Sequence, residues 1–413
     1  MSSAVLRELA GTEPSAAGTR LLEDIRHAKR IRLLRAVLDA APPGPAADHR
    51  ALLEEAERHA PGPVHDVLQY PATGLWAEET LHRLRTPGGP PPDLGHLGSV
   101  AVAAALRAGL SFKAVLKPVQ GRIALPTLGI LRPPGPGPYT LAEGAWDPAD
   151  PAALPLHTLP GGRTALDDLD PYRAPGAGPA AVRAARRLTA RGHKRWDTQW
   201  TGALTLLARY DTARAGEAVQ LLRSVVPLAG GARAAGATVP AAPGSVLARG
   251  QAPPALAATL VYEVQHGKLA ALTDLIALHT ADRTPRHWAP WRADPRSLDA
   301  LLRGTYARLA LAGYWQRAAL YGARGAWTHH ARYRTQVAAV LPGLGAAPEL
   351  TASGREFVGA MAVAERAMDE TAPPGDHYGA ARRVLSRDRR AWSETHPTLS
   401  VARPMPGAPY PPR

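Results

Sequence analysis

Apolar positions recur at helical spacing along most of the chain. Near the N-terminus Ile31, Leu34, Val37 and Leu38 share one side of a helix, with Arg26, Lys29 and Arg30 on the others. The segment up to about residue 86 reads as helical. So does the Ala-rich stretch 94–109, with Gly109 as its C-terminal stop. The period then changes to two. Phe112, Ala114 and Leu116 alternate with Lys113, Val115 and Lys117, and a Gln120–Gly121 turn leads into Ile123-Ala124-Leu125, Leu128 and Ile130. This pattern predicts a hairpin, extended by residues 139–141 and 154–159. Helical spacing returns over 180–190, 195–213 and 216–226. Two long stretches follow, 255–279 and 297–323, joined by a Trp/Pro/Arg-rich loop over 283–295, and a last pair covers 331–340 and 353–372. The expected fold class is mainly α (α+β): a helical protein with a small antiparallel β element and helix 255–279 buried at its centre.

Pro/Gly clusters punctuate the 413 residues, enough for two or three folding units at roughly 150 residues each. They suggest a helical region over 1–86, a main domain over 87–372 with the hairpin near 110–130, and a C-terminal helix with a Pro-rich tail over 373–413. No repeat is visible. No apolar run is long enough for a membrane span and no secretory signal precedes the first helix, so a cytoplasmic protein without a membrane partner is expected. The absence of cysteine rules out disulfides, thiolate metal sites and cysteine nucleophiles. The net charge of +14 raises nucleic acid as a partner. The charge is dispersed, however, only five of the 49 basic residues are lysines, and there are just two phenylalanines to stack on bases. A basic surface that draws acidic ligands or peptides fits better.

Helix 255–279 carries the chemistry. Pro253-Pro254 suit its start, and Leu256, Leu260, Val261, Val264, Leu269, Leu272, Leu275 and Ile276 surround it on nearly all sides. Tyr262, Glu263, His266 and Asp274 interrupt that surface, and a buried ionisable group needs a partner or a metal. Tyr262 and His266 stand one turn apart on one face. One reading is a buried polar network in which His266 bonds Glu263 or Tyr262. The other is an active-site helix with the spacing of His-Glu-x-x-His, Tyr262 occupying the first His position.

The run 256–278, LAATLVYEVQHGKLAALTDLIAL, resembles the motif helix of the α-ketoglutarate-dependent HExxH-type peptide β-hydroxylases, actinobacterial proteins of ribosomally made, post-translationally modified peptide pathways. Ala289-Pro290-Trp291-Arg292, Asp294-Pro295-Arg296, LLRGTYARL (301–309), LTASGREFV (350–358) and LPTLG (125–129) extend the likeness over roughly residues 90–365. It implies a peptide-modifying protein with a mononuclear Fe(II) site, 2-oxoglutarate as co-substrate and hydroxylation of a precursor peptide at a β-carbon. The family's ligand positions fall on Tyr262, His266 and Arg308, so only His266 keeps a metal-binding side chain. Phenol is a poor Fe(II) ligand at neutral pH and a guanidinium is none.

The centre is therefore expected to be altered, with Tyr262, Glu263, His266 and Arg308 as its candidate catalytic groups. Arg308 would either pair with Glu263 or reach solvent. Arg292 is the candidate to hold a carboxylate of 2-oxoglutarate or of a peptide, unless it stacks on Trp288 or Trp291. His279, His287, His329 and His330 are potential replacement ligands, and a haem held by His266 is a further cofactor reading. Three functions follow: an oxygenase with an altered centre, a catalytically silent relative that binds a precursor peptide or a partner enzyme, or a metal-free enzyme using Tyr262, Glu263 and His266 for acid–base chemistry. All three require Tyr262, His266 and Arg308 to meet in space.

Overall fold

The structure, a computed structural model, describes residues 1–42, 44–86, 88–175, 183–229 and 235–401. The Pro-rich tail and the first part of the stretch 180–190 lie outside these. Among the described residues the chain runs α1 (Ser3–Ala10), α2 (Ala16–Ala40), α3 (Ala46–His59), α4 (Pro61–Leu68), α5 (Pro71–Arg85) and α6 (Gly95–Ala108). Seven short strands follow: β1 (Lys113–Leu116), β2 (Ile123–Leu125), β3 (Gly129–Leu131), β4 (Tyr139–Ala142), β5 (Ala153–Pro155), β6 (His157–Thr158) and β7 (Ala165–Leu166). Next come α7 (Ala190–Tyr210), α8 (Thr212–Leu221), β8 (Ser224–Pro227), β9 (Gly236–Ala237) and β10 (Ser245–Ala248). The chain ends in helices α9 (Pro253–Leu275), α10 (Leu298–Leu320), α11 (Ala326–Gly345), α12 (Ala352–Ala367), α13 (His377–Thr395) and α14 (Pro397–Val401). The fold is mainly α with small sheets, and none of its described helices is long and apolar enough to cross a membrane.

Two compact units form, each from segments distant in sequence rather than from consecutive blocks. One contains Leu22–Ala203 and Val219–Thr259; the other contains Met1–Leu21, Leu204–Ala218 and Leu260–Arg413. In the first, α6 is buried from His96 to Ala105. Its small side chains let α3 and α4 approach closely, and a Cβ on Gly98 would fall 2.7 Å from the His49 ring. Gly109 ends α6 in the left-handed conformation (φ 65°), as the sequence suggests.

The strand region differs from a single extended hairpin. The Gln120–Gly121 turn, with both residues at positive φ, closes only the bridge Val119↔Arg122. Strand β1 pairs with β4, while β2, β3 and β5 form a separate antiparallel sheet. Strands β6–β7–β8–β10–β9 form a third sheet in which β8 lies parallel to both β7 and β10. Residues 224–226 thus belong to a strand and not to the helix that their apolar spacing suggests. All four residues of β8 are buried, and a strand covered on both faces reads like a buried helix. Residues 183–189 are not helical either: Ala184 bridges Leu228, and α7 begins only at Ala190.

The second unit holds α9 from Leu260 onward and α10–α14. Ser297 caps α10 by accepting from the Ala300 amide, and Thr351 caps α12 by accepting from the Gly354 amide. Gly354 is obligatory for packing, since a Cβ there would lie 1.8 Å from the Leu278 carbonyl oxygen. Helix α9 is not apolar to its end: Asp274 and Leu275 are exposed. Further in, Lys268 is 1% exposed and its ammonium bonds Glu217 at 2.6 Å. Arg214, equally buried, holds Asp211 at 3.0 Å, Glu13 at 3.1 Å and the Thr12 carbonyl at 2.8 Å. Arg317 completes the network through Asp211 (2.8 Å) and Glu13 (2.6 Å). The three cations face three carboxylates, so burial leaves no net charge.

This balance makes single deletions expensive. Lys268→Met should destabilise by about 3–5 kcal/mol, because Glu217 is left charged and unpaired in the interior. Combining it with Glu217→Leu should recover most of that loss in urea denaturation. Fully additive losses would show that the pair is not coupled.

Candidate functional site

Helices α9 and α10 bring the three expected positions together. Tyr262 and His266 lie one turn apart on α9, with ring centroids 4.7 Å apart and edge to face. From α10, Arg308 Nη1 donates to the Tyr262 hydroxyl at 3.1 Å and to the Gly304 carbonyl at 3.2 Å. The guanidinium carbon sits 3.9 Å from the centroid of Trp291 and 5.3 Å from that of Tyr262. Trp291 reaches this position because residue 304 is glycine: a Cβ there would lie 2.7 Å from the indole ring. All four side chains are partly exposed.

Around this cluster the charge is positive. Arg303, one turn before, holds both oxygens of Asp299 (2.8 and 2.9 Å) and reaches the Thr273 hydroxyl at 3.3 Å. Burial pushes the His266 imidazole down to about 4, and the nearby Arg303 and Arg308 charges act in the same direction. His266 is therefore neutral at pH 7. Burial also lowers the Arg308 guanidinium, while Tyr262 favours its charged form. It stays a cation at neutral pH.

Other candidates fall elsewhere. Glu263 is 4% exposed and is engaged, but Arg308 directs its hydrogen bonds to Tyr262 and Gly304, not to Glu263. Arg292 is exposed, 3.9 Å from Asp294. The stacking expected of it is taken by other arginines, Arg308 on Trp291 and Arg389 on Trp288 (4.4 Å). His279 contacts Asp299 at 3.4 Å, His287 pairs with Arg296 in a short bridge, and His329 stacks on Trp315 at 4.4 Å. His330 is buried between the Ala312 carbonyl and the Tyr378 hydroxyl, both at 2.9 Å.

Among the described residues no three His, Asp or Glu side chains gather as a metal site. An Fe(II) centre needs about three such ligands in a facial set. Tyr262, His266 and Arg308 supply one good ligand, one poor one and a repelling cation. These residues do not fit the iron that the motif implies. The roles of Trp291 and Gly304 were not read from the sequence; the signal was Gly304 four residues before Arg308, on the same face of α10.

No family model matches the chain, and no curated protein matches it.

The position of His266 has a pH consequence. Its folded-state value lies below that of an unfolded-chain imidazole near 6.5, so the unfolded chain takes up the proton first as pH falls. The stability it contributes is present above pH 6.5 and lost as pH falls through about 4. The loss reaches roughly 3 kcal/mol at most. Histidine NMR should show His266 neutral down to pH 5, and His266→Gln should flatten the acid limb of the stability curve relative to wild type. A midpoint near 6.5 would contradict the buried, arginine-flanked setting.

Proposed function

We propose that this protein is a divergent relative of the HExxH-type peptide β-hydroxylases that binds a precursor peptide of a ribosomal peptide pathway without Fe(II)/2-oxoglutarate chemistry. One observation carries the reading: a guanidinium, stacked on Trp291 and bonded to Tyr262, occupies the place where the motif calls for a metal ligand. A fixed cation there favours anions and opposes metal ions. The aromatic faces of Trp291 and Tyr262 suit peptide side chains. The motif helix and its neighbours supply the link to peptide modification.

A second reading draws on the neutral His266 imidazole edge-on to Tyr262, whose hydroxyl accepts from Arg308. In that reading the phenol and imidazole exchange a proton with a bound peptide, and Arg308 stabilises the phenolate. Both readings dispense with metal.

The test is turnover of the purified full-length chain with Fe(II), ascorbate, 2-oxoglutarate and a panel of precursor peptides. Succinate release should stay at background, peptide masses should gain no oxygen, and the visible spectrum should lack a haem band. Iron-dependent succinate formation, or a Soret band, would contradict the proposal.

A further inference from the structure

Arg308 has no acidic partner among the described residues, unlike the other arginines that α10 and α11 hold in ion pairs. Arg303 holds Asp299, Arg317 holds Asp211 and Glu13, and Arg334 holds Glu365 at 2.9 Å and Asp369 at 2.6 Å. Among the described residues Arg308 hydrogen-bonds only to a phenol and a backbone carbonyl, both through Nη1. Its Nε is buried with no hydrogen-bond partner. A buried donor left unmade is costly, and such a group marks a place where a partner belongs.

The geometry of the unpaired edge defines that partner. With Nη1 committed, the buried Nε and its neighbour Nη2 form the side of the guanidinium fork that no described group fills, spaced to meet two oxygens of one planar group. The Trp291 face fixes the plane of the fork, and Gly304 lets the indole lie there. The fork is therefore oriented before any ligand arrives, which lowers the entropic cost of binding.

Charge sets the valence. Asp299 is already taken by Arg303, Arg332 adds positive potential from α11, and His266 is neutral. The charge of the Arg308 guanidinium itself is matched by one carboxylate, and the surrounding potential favours an anion.

We infer that Arg308 is the receptor for a single peptide carboxylate, bound side-on by Nε and Nη2 and flanked by Trp291 and Tyr262. The inference rests on the metal-free reading of the site and names the feature of the peptide that it recognises. The carboxylate comes from an acidic side chain or from a chain end, which share this chemistry.

Calorimetry with the full-length protein tests it using three probes: acetyl-Ala-Glu-Ala-amide, acetyl-Ala-Ala-Ala with a free carboxylate, and acetyl-Ala-Ala-Ala-amide. At least one acidic probe should bind with a dissociation constant of about 1 mM or tighter, and the neutral amide should not. Which acidic probe binds identifies the source of the carboxylate. Arg308→Gln should weaken binding roughly thirtyfold or more. Arg308→Lys keeps the charge without the fork and should fall between the two. Circular dichroism of both variants checks that they fold, and the Lys variant keeps the test open if the Gln variant does not.

Equal binding of the neutral amide, wild-type affinity in Arg308→Gln, or no binding of either acidic probe would overturn the inference. Preference for inorganic phosphate over both acidic probes would do the same. None of these outcomes bears on metal independence, which the succinate assay judges separately.

Discussion

Arg308 constrains everything that the α9–α10 site can do. It is a permanent cation, pressed face-on against Trp291 and tied to Tyr262. Two unit charges 4 Å apart at an effective dielectric of 20 interact by about 4 kcal/mol, so a dication near this guanidinium meets roughly twice that repulsion. A single neutral imidazole, His266, is the one ligand available at these positions to offset it. The same cation, reversed in its effect, attracts carboxylates. That charge is what sets these three positions against a metal ion.

The arrangement depends on packing that leaves little freedom. Tyr262 and His266 sit on a helix that is largely buried, and that helix is pinned further along by the Lys268–Glu217 pair. The neighbouring Arg214, Arg317, Asp211 and Glu13 close a neutral network that ties the N-terminal segment to α8 and α10. Trp291 reaches Arg308 only because position 304 carries no side chain. A rigid scaffold of this kind holds a guanidinium plane in one orientation, which a surface arginine, with its free rotamers, would not keep.

Much of this was legible in the chain. The i, i+4 spacing put Tyr262 and His266 on one face of α9, and the expected resemblance set residue 308 beside them, where Arg308 bonds Tyr262. Gly109 marked the end of α6. What the sequence concealed was tertiary. The fully buried β8 carries an apolar run indistinguishable from a helix by spacing, and its parallel partners β7 and β10 come from either side of it in the chain. Pairing of β1 with β4 was hidden behind a nearer turn. Charge patterning offered Arg308 either Glu263 or solvent. The structure gives Tyr262 and Trp291, because stacking on an indole and bonding to a phenol leave no mark on charge patterning. Lys268 and Glu217 are 51 residues apart, and no local signal links them.

The account stands on Arg308 filling a metal-ligand position, and calorimetric Co(II) titration of four proteins tests that claim most directly. These are wild type, Tyr262→His, Arg308→His and the double variant. The account predicts no tight binding by wild type or by Tyr262→His, which keeps the opposing cation. It predicts a single site in the double variant, where three imidazoles converge. Tight, stoichiometric binding by wild type, or negligible binding by all four, would contradict it.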